Sequence, residues 1–194
     1  MEALDELVRI GKVRILGCSN ETSWGLMKSL AASEKLGVAR YHTIQNNFSL
    51  NNRRFEDELK QVCRQEGISL IPYSPLAGGV LSGKYQGGAT PEGARFSRYL
   101  AMEGRQAAMG QRFVNEKSLA ATARYLQIAD EHGLNPVTMA TAWSKQHDFV
   151  ASTIVGVSAD DQVQPILDAM DLVLSNEVMT ALHKVSKDIL YPMG

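Results

Sequence analysis

Two features of this sequence are equipped to hold a ligand. The first is the run Tyr73-Ser74-Pro75-Leu76-Ala77-Gly78-Gly79-Val80-Leu81-Ser82-Gly83-Lys84-Tyr85. Its glycines keep side chains out of the way where a backbone must approach something closely. Backbone N–H groups and the Ser74 hydroxyl offer donors to a phosphate, and Lys84 offers a point charge. Tyr73 is suited to stacking on a flat ring. The same run is also compatible with a plain Gly-rich turn. The second feature is a set of polar clusters, Ser19-Asn20, Gln45-Asn46-Asn47, Tyr73-Ser74 and Gly156-Val157-Ser158. Taken singly, each reads as turn chemistry or a helix cap. Taken together they include a Gln and a Tyr that turns do not require, which makes a site the better reading of the set.

Other chemistries find no support. No G-x-G-x-x-G follows an apolar run, and Gly79-Val-Leu-Ser-Gly-Lys84 has the wrong spacing for a Walker-type phosphate loop. No G-x-S-x-G elbow is present. The four histidines, His42, His132, His147 and His183, are not paired at metal-ligand spacing. Three of them fall in helices or helix ends and are expected to be surface or capping residues; His42 is expected to be structural. The two cysteines, Cys18 and Cys63, are too few for a disulfide framework or a Cys-built zinc site. Both are expected to be small buried hydrophobes in a reducing cytosol.

The clusters must be positioned by regular elements, and the hydrophobic pattern alternates between helical and strand periods. Helices are expected over residues 2–11 (Leu4, Leu7, Val8 and Ile10 on one face), 23–36 (Trp24, Met27, Leu30 and Ala31 at helical spacing), 55–66 (Leu59, Val62 and Cys63 inward), 115–132, 135–147, from Ser158, and from Ser175 to about 188. Gly11, Gly37 and Gly67 are stop signals, Asn135-Pro136 is a helix start, and Ser158-Ala-Asp-Asp161 matches a capping box. Strands are expected over 13–18, 42–46, 68–72 and 152–156. Residues 74–114 exceed what a plain connection needs and are expected to be a long functional loop carrying short helices.

Four strands alternating with helices imply parallel strands joined by crossovers. Both a small doubly wound open sheet and half of a (β/α)8 barrel fit this α/β pattern. The polar groups at every strand's C-terminal end favour the barrel, where those ends converge on one face.

The chain has 194 residues, with 20 Lys+Arg against 21 Asp+Glu and a formal net charge of −1. One domain, or part of a larger one, is expected. The balance gives no electrostatic reason to bind nucleic acid or anionic lipid. A content of 44% hydrophobic and 21% charged residues excludes a disordered tail. No apolar run is long enough to span a membrane. The acidic start, Met1-Glu2-Ala3-Leu4-Asp5, is unlike a signal peptide. A cytoplasmic location without membrane contact is expected, and Asn20-Glu21-Thr22 and Asn47-Phe48-Ser49 are then chance matches to a glycan acceptor pattern.

Gly17-Cys18-Ser19-Asn20, then Gln45, then Tyr73-Ser74-Pro75-Leu76, then Ile154-Val155-Gly156-Val157-Ser158 with Gln162 together resemble the aldo-keto reductases across essentially the whole chain. The Ser-Pro-Leu-Ala-x-Gly-x-x-Ser-Gly-Lys-Tyr run is most similar to the bacterial and potassium-channel β-subunit branch. The resemblance implies the C-terminal half of a (β/α)8 TIM barrel, with residues 1–194 forming a single partial domain and 74–114 a cofactor-side loop. It implies NADP(H), with NAD as the alternative. Ser19, Asn20 and Gln45 would hold the nicotinamide carboxamide, whose amide needs both donors and acceptors. Tyr73 would stack under the nicotinamide ring. Ser74, Leu76, Gly78, Gly79 and Lys84 would line the pyrophosphate, and Gly156, Ser158 and Gln162 would meet the adenosine end. The implied reaction is hydride transfer to a small aldehyde or ketone.

The departures are equally specific. The family's Asp, Tyr, Lys and His tetrad belongs to the first half of the barrel, and no Asp-x-x-x-x-Tyr-Gly run or Ala-Thr-Lys segment occurs here. No catalytic residue and no metal ligand is therefore assigned. Pro165 and Ile166 stand where relatives often carry Glu-Asn, and Asp160 and Asp161 add negative charge near the expected 2′-phosphate position. The rival reading is a non-catalytic nucleotide-binding or interaction module, or an inactive truncated product. In either case, self-association or a partner supplying the other half-barrel is expected.

Overall fold

The computed structural model describes residues 1–193. The first helix, α1 (Glu2–Arg9), lies on the surface with none of its residues fully buried. The chain after it turns back before entering the sheet. Gly11 adopts φ 76°, and the N–H groups of Lys12 and Val13 donate to Leu7 O at 3.0 and 3.1 Å. These donors close the helix end and are lost to any ladder. Strand β1 is therefore Leu16–Ser19 and does not begin at Val13.

Helix α2 (Ser23–Leu36), strand β2 (Tyr41–Gln45), helix α3 (Leu59–Glu66) and strand β3 (Ser69–Leu70) follow. The strands pair in parallel in chain order, β1-β2-β3, as expected when each crossover is helical. The register slips between Leu16 and Gly17. A Cβ on Gly17 would sit 2.3 Å from Thr43 Oγ1, so glycine is what lets β1 approach β2 at this point.

Helix α2 starts as its residue types dictate, with Thr22 Oγ1 accepting from Gly25 N at 3.1 Å, and Gly37 ends it in the left-handed region. The buried stripe is Leu26, Leu30 and Ser33, so of the four apolar residues at helical spacing only Leu30 is buried. Trp24 is 71% exposed and Met27 39%. Both stripes have helical spacing; contact with the core around Ile44 and Leu70 selects between them. The expected helix over 55–66 divides into a 3-10 turn at Arg54–Glu56 and α3, with Cys63 buried.

The segment expected as a long loop over 74–114 is largely regular. It contains 3-10 turns at Ala77–Ser82 and Gln86–Gly88, helix α4 (Arg95–Leu100) and helix α5 (Arg105–Phe113). The segment packs around its own aromatic residues. Phe96 lies 4.7 Å from Phe113 and 6.0 Å from Tyr85 between ring centroids, and Phe96 N donates to Tyr85 OH at 3.2 Å.

Helices α6 (Glu116–Glu131) and α7 (Pro136–Lys145) come next. Asn135 Oδ1 accepts from Val137 N at 2.9 Å and Thr138 N at 3.3 Å, and Pro136 occupies the first turn, as the Asn-Pro signal predicts. The fourth strand expected at 152–156 is not formed. Residues 149–154 run along β3, with Leu70 N donating to Phe149 O at 2.7 Å, Ala151 N to Leu70 O at 3.0 Å and Ile154 N to Pro72 O at 2.8 Å. Pro72 has no N–H to return a bond, so the ladder stops at a single bridge between Leu70 and Val150. Among the described residues the sheet consequently has three strands, where about four were expected.

The expected capping box at Ser158 also fails. Asp160–Gln162 is a 3-10 turn leading into helix α8 (Val163–Leu167), and no side chain caps it. Ser158 is occupied instead with Gln162. Helix α9 (Asn176–Asp188) opens as its sequence predicts, Ser175 Oγ accepting from Val178 N at 3.3 Å. Among the described residues no helix is long and apolar enough to cross a membrane.

Candidate functional site

The C-terminal ends of β1, β2 and β3 bring four of the expected residues into contact. Ser19 is the last residue of β1 and is paired with Gln45, the last residue of β2. Ser19 Oγ donates to Gln45 O at 3.0 Å. Asn20 Nδ2 donates to Ser19 Oγ at 3.0 Å, and Tyr73 OH donates to Asn20 Oδ1 at 2.7 Å. Tyr73 is carried there by the continuation of β3, where it forms an isolated bridge with Asn47 and its N–H donates to Asn46 O at 3.1 Å. A serine, two amides and a phenol thus converge on neighbouring strand ends. Gln45 itself contributes only its backbone carbonyl to this network. Its half-buried side-chain amide has no hydrogen-bond partner among the described residues.

Beside this group the backbone is held in unusual conformations. Asn20 has φ 55° and Ser74 φ 56°, both in the left-handed region. Two buried oxygens here lack a protein partner, Asn47 Oδ1 and Thr153 Oγ1. A half-buried amide with donor and acceptor both open can pair with a ligand bearing an amide of its own.

The glycine run after Tyr73 forms a tight arc. Ala77 N donates to Ser74 O at 2.8 Å, and Ser82 Oγ donates to Gly79 O at 2.8 Å. Gly79 has φ 95°, and a Cβ there would lie 2.9 Å from Lys84 Nζ. The lysine is thereby folded back over the arc, its Nζ 5.4 Å from the Tyr85 ring centroid. Gly78, at φ 65°, faces the Phe96 ring, which a Cβ would meet at 2.4 Å. Gly78 therefore serves packing inside the segment, and Leu76 also packs against the core. Ser74 and Gly79 are half-buried, and Lys84 is exposed.

The third expected group stands apart. Gly156, Ser158 and Gln162 lie on the exposed or half-buried stretch before α8. Ser158 N donates to Gln162 Oε1 at 3.0 Å, so these two residues satisfy each other. Among the described residues no hydrogen bond ties them to the Ser19–Tyr73 network. A Cβ on Gly156 would meet nothing within 4 Å. The protein's own packing thus does not demand glycine at this position.

One thiol and one histidine depart from expectation, while Cys63 is buried and His183 exposed as expected. Burial pushes the Cys63 thiol up to about 12. Cys18 is half-buried rather than buried, and burial with the nearby Glu21 charge raises it too. Neither is a thiolate at neutral pH. His147 is half-buried and lines a cleft. It stacks on Phe149 at 5.1 Å and meets the Trp143 ring edge at 4.8 Å, and burial lowers it to about 4. A cleft of about 410 Å³ beside it is lined by Arg53, Glu56, Trp143, Asn176 and His183, and shares no residue with the strand-end group. Arg53 is fully engaged there: it pairs with Glu56 and donates to Ser186 Oγ at 2.8 Å. Sequence reasoning passed over this cluster because Arg53 and Glu56 are ordinary helix-end residues until Trp143 packs on them. Among the described residues no three His, Cys, Asp or Glu side chains converge where a metal ion could bind.

The His147 shift has a consequence for stability. Its folded value lies below the ordinary histidine value, so the unfolded chain binds the proton more readily. Stability from this group is complete above about pH 6.5 and declines as the pH falls toward 4. Between pH 7 and pH 5 the expected loss is about 2 kcal/mol. Urea denaturation of wild type and His147→Phe at both pH values reads it directly. The variant is expected to lose that much of the acid sensitivity, and equal sensitivity in both proteins would refute the assignment.

A sequence model of the aldo/keto reductase family matches residues 1–187. Protein tas of Escherichia coli (strain K12) is 40% identical over 195 residues, covering 99% of this chain and 53% of that protein. An aldo-keto reductase of Babesia bovis is 30% identical over 166 residues, covering 81% of this chain and 55% of that one. The versiconal hemiacetal acetate reductase of Aspergillus parasiticus is 26% identical, covering 95% and 51%. The chain spans about half the length of these relatives. The family match covers nearly all of this chain, which therefore belongs to the aldo/keto reductase family.

Proposed function

We propose that this member of the aldo/keto reductase family holds NADP(H) across its strand ends for hydride transfer to an aldehyde or ketone, as the C-terminal half of a (β/α)8 barrel. The observation that carries the reading is the Ser19–Asn20–Tyr73 network with the open Gln45 amide beside it. The bound cofactor would supply the hydride; the protein supplies binding and orientation. Gln45 and Asn20 would take the nicotinamide carboxamide, and Tyr73 the ring face. Ser74, Gly79 and Lys84 would hold the pyrophosphate through backbone donors and charge. Leu76 and Gly78 support that arc from within. Gly156, Ser158 and Gln162 would meet the adenosine end, Gly156 because nothing of the protein fills the space beside it.

The parallel order β1-β2-β3, with residues 149–154 laid along β3, supports consecutive strands of a barrel wall. The outer edge of β1 is unpaired among the described residues, and Ile15 beside it is 63% exposed. Such an edge suits a complementary half-barrel. A half that carries the family's acid–base tetrad would complete the site, whereas a second copy of this chain would repeat the motifs here and bring no tetrad.

The test is binding. With the 194-residue chain, Gln45→Ala is expected to weaken NADP(H) by about 1–3 kcal/mol, the cost of leaving a ligand amide unpaired. NADPH fluorescence titration reads the change, with NADH run in parallel to decide between the two cofactors. A folded Gln45→Ala protein with unchanged affinity would reduce the strand-end amides to turn chemistry.

A further inference from the structure

Asn20 carries two constraints at once. Its backbone is left-handed, which is costly for a residue with a Cβ and least so for Asn. Its side chain is held at both ends, by Tyr73 OH on Oδ1 and by Ser19 Oγ on Nδ2. The direction of the amide therefore depends on what fixes the backbone. That is the Asn20 N–H, which is shared between Gln45 O at 3.0 Å and Asn46 Oδ1 at 2.8 Å.

We propose that Asn46 is a positioning residue: its side-chain oxygen clamps Asn20 in the left-handed conformation and so aims the Asn20 amide at the ligand. The inference rests on the cofactor reading above, and adds to it a residue that does not touch the cofactor. Asn46 lies one position beyond the last ladder pair, Ser19 with Gln45, so the sheet does not need its side chain. Without it the Asn20 N–H keeps Gln45 O. The fold should survive, while the Asn20 backbone gains freedom. The Asn46 side chain has no other hydrogen-bond partner among the described residues.

Asn46→Ala and Asn46→Asp separate aiming from folding: Asp keeps the acceptor, loses the amide donor and adds a negative charge, whose effect on an anionic ligand is read from the fragment that lacks the nicotinamide. Each variant of the 194-residue chain is titrated with NADPH and with 2′-phospho-ADP-ribose, which lacks the nicotinamide. Asn46→Ala is expected to weaken NADPH about 5-fold while leaving the fragment within about twofold, and Asn46→Asp to restore the ratio of NADPH to fragment affinity to within about twofold of wild type. Thermal unfolding midpoints are expected to stay close to wild type. Equal weakening of both ligands, no weakening, or failure of Asp to rescue would overturn the positioning role. A wild-type chain that binds neither NADPH nor NADH would overturn the cofactor reading and this inference with it. Wild-type binding with an indifferent Asn46→Ala would overturn this inference alone.

Discussion

The 194-residue chain, purified alone, is expected to oxidise NADPH in the presence of 4-nitrobenzaldehyde no faster than the background without protein. Carbonyl reduction needs a proton as well as a hydride, and a positioned general acid is worth about 10²–10⁴-fold. The described residues offer no such acid in a working environment. The Tyr73 hydroxyl is committed to Asn20 Oδ1 at 2.7 Å, with no lysine or carboxylate in its hydrogen-bond network. His147 is neutral and enclosed by aromatic rings. Cys63 is buried and raised to about 12. The measurement is NADPH consumption by pure protein with a stirred no-enzyme control. Turnover abolished by Tyr73→Phe would overturn the expectation and make Tyr73 the acid.

Trp143→Ala is expected to destabilise the chain by about 3–5 kcal/mol, the range for removing a fully buried large aromatic. Trp143 is 1% exposed. Its ring lies 4.8 Å from Phe48 and 4.8 Å from His147, and the Arg53 guanidinium sits over it at 5.1 Å. Phe48 and Arg53 belong to the stretch that follows β2, so the indole ties α7 to the segment carrying Gln45 and Asn46. That stretch is pinned a second time by Asn51 Nδ2, which donates to Ser118 Oγ at 2.9 Å and Thr122 Oγ1 at 3.0 Å. The second anchor should keep the variant folded at low temperature. Urea denaturation measures the loss. A change below about 1 kcal/mol would mean that the aromatic cluster collapses around the gap.

Comparing the sequence with the structure shows which physical signals are local. Asn135-Pro136, Ser175, Gly37 and Gly67 mark helix ends because capping and left-handed turns depend on the residue and its immediate neighbours. The strand-end placement of Ser19, Asn20, Gln45 and Tyr73 was legible for a similar reason: each follows a short apolar run within a few residues. The family resemblance rested on these same clusters.

The misread elements share a different cause. The helical period allows Trp24 or Leu26 to face inward, and only the sheet beneath α2 decides for Leu26. Val13–Ile15 has strand composition, yet its first N–H is taken by the end of α1. Residues 152–156 have strand composition too, and their ladder stops because Pro72, on the neighbouring strand, lacks a donor. His147 looks like a helix-end surface residue until Phe48, Trp143 and Phe149 enclose it, and only then does its proton affinity fall. Asn46 acquires a role through an acceptor placed 2.8 Å from Asn20 N, 26 positions away in the chain. The sequence alone determined the helix ends marked by Gly37, Gly67, Asn135-Pro136 and Ser175, and that Ser19, Gln45 and Tyr73 lie at or just past strand ends. Which face is buried, which donor is already taken and which side chain aims another depend on contacts between distant residues, and only the tertiary structure decided them.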